Sequence, residues 1–200
     1  MTAASQLPPE FARCTDWTVD DLAGLPPDLN YELINGRLIL PSLTLFHQDI
    51  CRLVANALDA NCPPDYAVSF DLSIAIDRRN EARPDVAVVP VRYAGVSPVP
   101  FDGAQLVVEV IPQSQRFRDM VDKERAYAKA RIPTYWIIEP TSGQINLIEH
   151  LLGPDGDYHY GEATSDVYTT DRPWKVTLDL PALSARHRAM REHANASDHQ

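Results

Sequence analysis

Apolar residues recur along this chain in two rhythms, and the changes between them predict its elements. From Tyr66 to Asp77 the chain alternates: Val68, Phe70, Leu72, Ile74 and Ile76 point one way, Ser69, Asp71, Ser73 and Asp77 the other. That pattern predicts one half-buried strand. His47 to Leu58 has a helical period instead, with Ile50, Val54 and Leu58 on one stripe. Tyr31-Glu32-Leu33-Ile34 runs into Asn35-Gly36, a strong hairpin signal, and Arg37 to Leu40 supplies the returning strand. Thr18 followed by Asp21 predicts a short capped helix, stopped by Pro26-Pro27.

Three later segments are apolar almost throughout, as strands buried on both faces are. They are Asp85 to Val89, Leu106 to Ile111 and Thr134 to Glu139. A long helix is predicted from Ser114 to Ala130, and Gln144 to Glu149 reads as a further strand after a Thr141-Ser142-Gly143 turn. Two or three weaker strands are expected between Tyr158 and Leu178. Strand, strand, helix, strand at the centre implies an α/β or α+β fold, a mixed β-sheet flanked by helices. Residues 1–15 carry no periodic pattern and read as a flexible lead. Residues 16–183 read as a single domain, and 184–200 as a polar tail, a frayed helix or a disordered segment.

Two hundred residues can bury a core without disulfides or structural zinc. Cys14, Cys51 and Cys62 form no CxxC pair, which favours a reducing cytoplasm and thiols that act as small hydrophobes. No apolar run reaches the roughly 20 residues of a membrane span, and the first residues lack the basic and apolar regions of a signal peptide. The expectation is a cytoplasmic protein with no membrane partner. With 18 basic against 28 acidic residues the net charge is −10, which argues against a simple nucleic-acid-binding module. The exception is Ser114 to Arg131, where six basic residues face three acids. That stretch either meets phosphates or is a solvated helix face with pairs such as Asp119 and Lys123.

The candidate chemistry lies in the apolar strands. Asp85 and Glu109 stand inside or at the edge of runs of Val, Ile and Ala, where an ionised carboxylate is costly unless paired. If the two strands lie side by side, one register brings both acids to the same side, within reach of one hard cation. Lys123 shares a helix stripe with Met120 and Tyr127, the face expected to pack on the sheet. There it either pairs with buried acids or reaches outward to Asp119. His47, in the first turn of its helix, is a satisfied structural histidine or a substrate contact. The remaining histidines lack ligand spacing, so zinc is not expected. No Gly-rich phosphate loop and no nucleophilic Ser or Cys motif is present.

From Thr18 to Glu149 the chain resembles the Uma-type restriction endonuclease family, within the PD-(D/E)xK nuclease superfamily. The resemblance rests on ordered landmarks: Tyr31-Glu32-Leu33-Ile34-Asn35-Gly36, His47-Gln48, Arg83-Pro84-Asp85, Val107-Val108-Glu109-Val110, Arg118-Asp119 with Lys123 and Tyr127-Ala128, and Ile132-Pro133-Thr134-Tyr135-Trp136-Ile137-Ile138-Glu139-Pro140. It implies a restriction-endonuclease-like core over 16–183 and a Mg²⁺ (or Mn²⁺) ion held by Glu32, Asp85, Glu109 and the Val110 carbonyl. It also implies Lys123 as the catalytic lysine and His47, Gln48 and Tyr127 as substrate or support residues. The common superfamily pattern places the lysine two residues after the acid on the same strand; here Ile111 stands there, and the role passes to Lys123. Pro112-Gln113-Ser114 follows the acid where the family often has Ser-Pro-Ser, so Ser114 carries no assigned role. The implied activity is endonucleolytic hydrolysis of DNA, with a homodimer as a way to address two strands. The alternative is a non-catalytic nuclease-fold module that binds DNA or protein.

Overall fold

The computed structural model describes residues 16–26, 29–40, 44–111 and 118–197. After α1 (Val19–Leu22) come β1 (Glu32–Ile34) and β2 (Arg37–Ile39), then α2 (Leu45–Asp59), β3 (Tyr66–Phe70), β4 (Ile74–Asp77), β5 (Asn80–Ala82), β6 (Val86–Pro90), β7 (Val99–Pro100) and β8 (Leu106–Val110). The second half holds α3 (Arg118–Lys129), β9 (Thr134–Pro140), β10 (Ile145–Leu152), β11 (Tyr158–Tyr160), β12 (Val167–Thr170), β13 (Val176–Asp179) and α4 (Leu180–Ser197).

The strands form a six-stranded sheet in the order β11-β10-β9-β8-β6-β3, a five-stranded sheet in the order β2-β1-β5-β4-β7, and the β12–β13 pair. β8 and β9 are parallel, joined through α3, while β6 runs antiparallel to β8. The fold is therefore the mixed sheet flanked by helices that the sequence implied. β6 and β8 are buried at every position, which is why they lack the alternation of a half-exposed strand. Their alternate residues face different layers. Val86, Val88, Leu106, Val108 and Val110 pack with Ile50, Val54 and Leu58 of α2. Ala87, Val89 and Val107 pack with Tyr127 of α3 and with Ile34, Ile74 and Ala82 of the five-stranded sheet.

Local chemistry follows the sequence at the turns. Asn35 and Gly36 both have positive φ, 52° and 74°, as a two-residue hairpin of this type requires. The Asp21 carboxylate accepts from the Thr18 amide at 2.8 Å and hydroxyl at 2.7 Å, one half of the expected capping box. Thr44 caps α2 by accepting from the His47 amide at 3.3 Å, so the helix begins at Leu45, two residues earlier than the His47 start expected from the sequence.

One expectation needs correction. The alternating segment Tyr66 to Asp77 is two strands in different sheets, not one. Asp71 takes φ 48°, a conformation Asp tolerates better than most residues. The Arg83 guanidinium fixes it there, bonding the Asp71 carboxylate at 3.0 Å and carbonyl at 3.0 Å. Past this corner the alternation changes partners: Val68 faces the α2 layer, Phe70 is exposed, and Ile74 and Ile76 enter the core shared with α3. Residues 184–197, expected as a frayed helix or a disordered tail, continue helix α4. Its first turns are buried through Leu180, Leu183 and Ser184, and the Ser184 hydroxyl accepts from the Ile145 amide at 2.8 Å. Arg186 pairs with Asp49 of α2 at 2.6 Å. The expected lead at 1–15 lies outside the described residues.

Candidate active site

β8 ends on Glu109-Val110, and its alternation turns Glu109 toward the α3 layer alongside Val107. α3 presents Lys123 and Tyr127, one turn apart, to that layer, and β1 brings Glu32 from the five-stranded sheet. The Lys123 ammonium donates to Glu109 Oε1 at 2.9 Å and Oε2 at 2.8 Å, and to Glu32 Oε1 at 2.9 Å. The Tyr127 hydroxyl donates to Glu109 Oε1 at 2.6 Å, and the Arg83 amide to Glu32 Oε1 at 3.2 Å. Glu32, Glu109 and Lys123 are all buried, Lys123 with 9% of its surface exposed. Lys123 is thus neither a snorkelling nor a solvated lysine; the Asp119 side chain lies outside what is described.

Asp85 has different company. It lies just before β6, and continuing the Val86–Val108 pairing by one residue brings it opposite Glu109. Its carboxylate Oδ2 accepts from the Val110 amide at 2.7 Å and lies 3.1 Å from His47 Nε2 on α2. The other nitrogen of that ring, Nδ1, is 3.5 Å from the Cys51 sulfur one turn along the helix. Among the described residues, His47, Cys51 and Asp85 form a group whose ligand atoms lie within 4.8 Å of one another. Glu32, Asp85 and Glu109 do not converge that closely. The predicted four-residue site is therefore two linked networks, Lys123 binding Glu109 and Glu32 on one side and His47 holding Asp85 on the other.

The electrostatics tie these networks together. Burial pushes the Glu109 carboxyl up, helped by the charges of Asp85 and Glu32, while the Lys123 ammonium on both its oxygens opposes this and holds it ionised. The Lys123 amine is held above its usual range, because the attraction of Glu109 and Glu32 outweighs its burial. We take Lys123 as charged: its three short contacts to carboxylate oxygens require a donor. Three carboxylates against one ammonium then leave an excess of two negative charges in a poorly solvated place. Burial and the nearby Asp85 and Glu109 charges also raise the Cys51 thiol well above its ordinary range.

The other predicted residues fall into place around these. Gln48 is exposed beside His47 in the first turn of α2. Of Val110, the amide is the group that touches Asp85. Sequence reasoning missed two partners: Cys51, which had read as an ordinary small hydrophobe, and the Arg83 amide. Cys51 could have been found from its position four residues after His47, which puts both on one helix face.

A model of the Uma2 family, described as putative restriction endonuclease, matches residues 17–186. The chain belongs to this family. Among solved structures, a putative nuclease of DUF820 from Anabaena variabilis ATCC 29413 superimposes with a TM-score of 0.66 at 14% identity, covering 85% of this chain and 98% of its own. At that identity the likeness speaks for the fold. No curated protein matches the chain. For this Uma2 chain, the family and the fold place a nuclease-type scaffold around the two networks. Among the described residues no helix is long and apolar enough to cross a membrane.

Proposed function

We propose that the protein is a Mg²⁺- or Mn²⁺-dependent endonuclease that hydrolyses DNA phosphodiester bonds. The observation that carries this reading is a buried lysine held by two acids, Glu109 and Glu32, beside a third acid, Asp85, just before the neighbouring strand β6. The excess of two negative charges fits a divalent cation, and oxygen donors suit a hard one. Asp85 and Glu109 would hold it, with Glu32 and the Val110 carbonyl in support. Such an ion polarises the scissile phosphate and makes a bound water more acidic.

The chain's own residues supply the rest. Lys123 carries the positive charge that would orient the attacking water or offset charge developing on the phosphate. Tyr127 fixes one oxygen of Glu109, leaving that carboxylate little freedom to rotate. The Val110 amide and His47 fix Asp85 in the same way. Burial keeps bulk water from screening these charges.

The test is cleavage of plasmid DNA with added Mg²⁺ or Mn²⁺ by the parent, Asp85→Ala and Lys123→Ala. Loss of cleavage in both variants supports the reading; equal cleavage by all three proteins refutes it. The alternative of a non-catalytic module that binds DNA or protein is favoured by the net charge of −10. Titration calorimetry separates the two, since no binding at millimolar Mg²⁺ or Mn²⁺ favours the module.

A further inference from the structure

We infer that His47 is itself a ligand of the divalent ion, through Nε2, and that this nitrogen makes the centre select Mn²⁺ over Mg²⁺. The inference rests on the metal-dependent reading above and adds both a residue and an ion class to it.

The geometry divides the acids unequally. Both oxygens of Glu109 are engaged by Lys123, and Oε1 also by Tyr127. An ion that binds Glu109 must compete with an ammonium already seated there. Asp85 has no such competitor: its described partners are the Val110 amide and His47, both on Oδ2. His47 Nε2 lies 3.1 Å from it, and His47, Cys51 and Asp85 offer ligand atoms within 4.8 Å of each other. An ion seated on Asp85 therefore has the His47 imidazole within reach.

The ring is also built to stay in place. His47 lies in the first turn of a 15-residue helix whose next turns are anchored by the buried Ile50, Cys51 and Val54. The His47 and Asp85 side chains are 14% and 16% exposed, shielded from solvent yet open on one side. Behind the ring the Cys51 sulfur contacts Nδ1. This contact admits both states of the imidazole. With Nε2–H donating to Asp85, Nδ1 accepts from the thiol. With Nε2 given to an ion, the ring proton sits on Nδ1 and donates to the sulfur, while the thiol keeps its own proton and turns it away. No proton is gained or lost, because a thiol can act as donor or acceptor. A partner on the far nitrogen is what metal-bound histidines generally have.

The ion class follows from the donor. Mg²⁺ takes oxygen almost exclusively and keeps its waters, whereas Mn²⁺ accepts imidazole nitrogen alongside carboxylate.

The experiment is pulsed electron paramagnetic resonance of Mn²⁺ added to the full-length protein, read for nitrogen hyperfine modulation. The expected result is modulation from one imidazole, lost in His47→Gln while Mn²⁺ still binds; the glutamine amide can still donate to Asp85 but brings no imidazole nitrogen. Calorimetry on the same variant should show Mn²⁺ affinity falling by about tenfold or more, with Mg²⁺ affinity moving much less. Should His47→Gln misfold, the parent spectrum recorded with ¹⁵N-histidine incorporated and the Asp85→Asn variant carry the test: the nitrogen signal must be present in the first and absent in the second. Mn²⁺ bound without nitrogen modulation, or modulation that survives His47→Gln or Asp85→Asn, overturns the inference and leaves the nuclease reading intact. No binding of either ion at millimolar concentration overturns both.

Discussion

Replacing Lys123 by methionine shortens the side chain by one atom and removes its charge. Glu109 and Glu32, both buried, then lose the ammonium that contacts them at 2.8 and 2.9 Å. Breaking a buried ion pair from one side typically costs about 3–5 kcal/mol. Here the loss has a ceiling, because Glu109 can take up a proton. Relative to its ordinary value of 4.5, keeping it protonated costs about 1.4 kcal/mol per pH unit, so about 3.5 kcal/mol at pH 7 and about 1.4 at pH 5.5. The sign is that of a carboxyl raised further when its ammonium is removed: the added penalty is absent below pH 4.5 and grows as pH rises toward the variant's folded value. Tyr127 and the Arg83 amide remain as donors, which keeps the pH 7 loss near the lower end of the range. Urea unfolding of the parent and Lys123→Met at pH 5.5, 7 and 8 measures it. A loss under about 1 kcal/mol at pH 7, or one that does not grow with pH, refutes the claim that Lys123 neutralises these acids.

Tyr127→Phe removes a 2.6 Å hydrogen bond to a buried carboxylate and is expected to cost about 1–3 kcal/mol in urea unfolding. Burial holds the His150 imidazole down to about 4, so its contribution is intact above pH 6.5 and is lost as pH falls toward 4. His150→Phe should flatten that part of the acid-unfolding curve, and an unchanged curve would count against its burial as neutral imidazole. Leu58, fully buried between α2 and the six-stranded sheet, should lose about 2–5 kcal/mol on mutation to Ala. An ion bound by the folded state alone raises stability by about 2.7 kcal/mol at a hundred times its dissociation constant, so Mn²⁺ should raise the melting temperature of the parent and leave Asp85→Asn unmoved.

The buried strands were legible in the sequence because β6, β8 and β9 are covered on both faces and carry little but apolar residues. Lys123 and Tyr127 were legible for a related reason: their spacing put them on the stripe of α3 that packs inward. What alternation could not reveal was the corner at Asp71. A single left-handed residue leaves the polar–apolar rhythm unbroken while sending the chain into another sheet. The partners of Asp85 were hidden for a different reason. The strand pattern assigned its face by parity, but the residue sits before β6 begins, where the ladder no longer dictates direction, and its carboxylate turns to the Val110 amide and α2. Helix α4 was obscured by its polar composition; its attachment depends on its first turns and on the Asp49–Arg186 pair rather than on a long apolar stripe.

The lysine that touches Glu109 on one sheet and Glu32 on the other also acts as a clasp between them. Its bond to Glu109 joins neighbours 14 residues apart, but its bond to Glu32 spans 91 residues, so the clasp closes only when the two sheets have met. Contacts of such separation carry a larger loop-closure cost and form late in folding. A chain still emerging from the ribosome can pair β6 with β8 and align Asp85 with Glu109 while Lys123 is not yet fixed. Any cutting ability of this protein would thus arrive with the completed fold, and a nascent or partly unfolded molecule would carry the acids without the clasp.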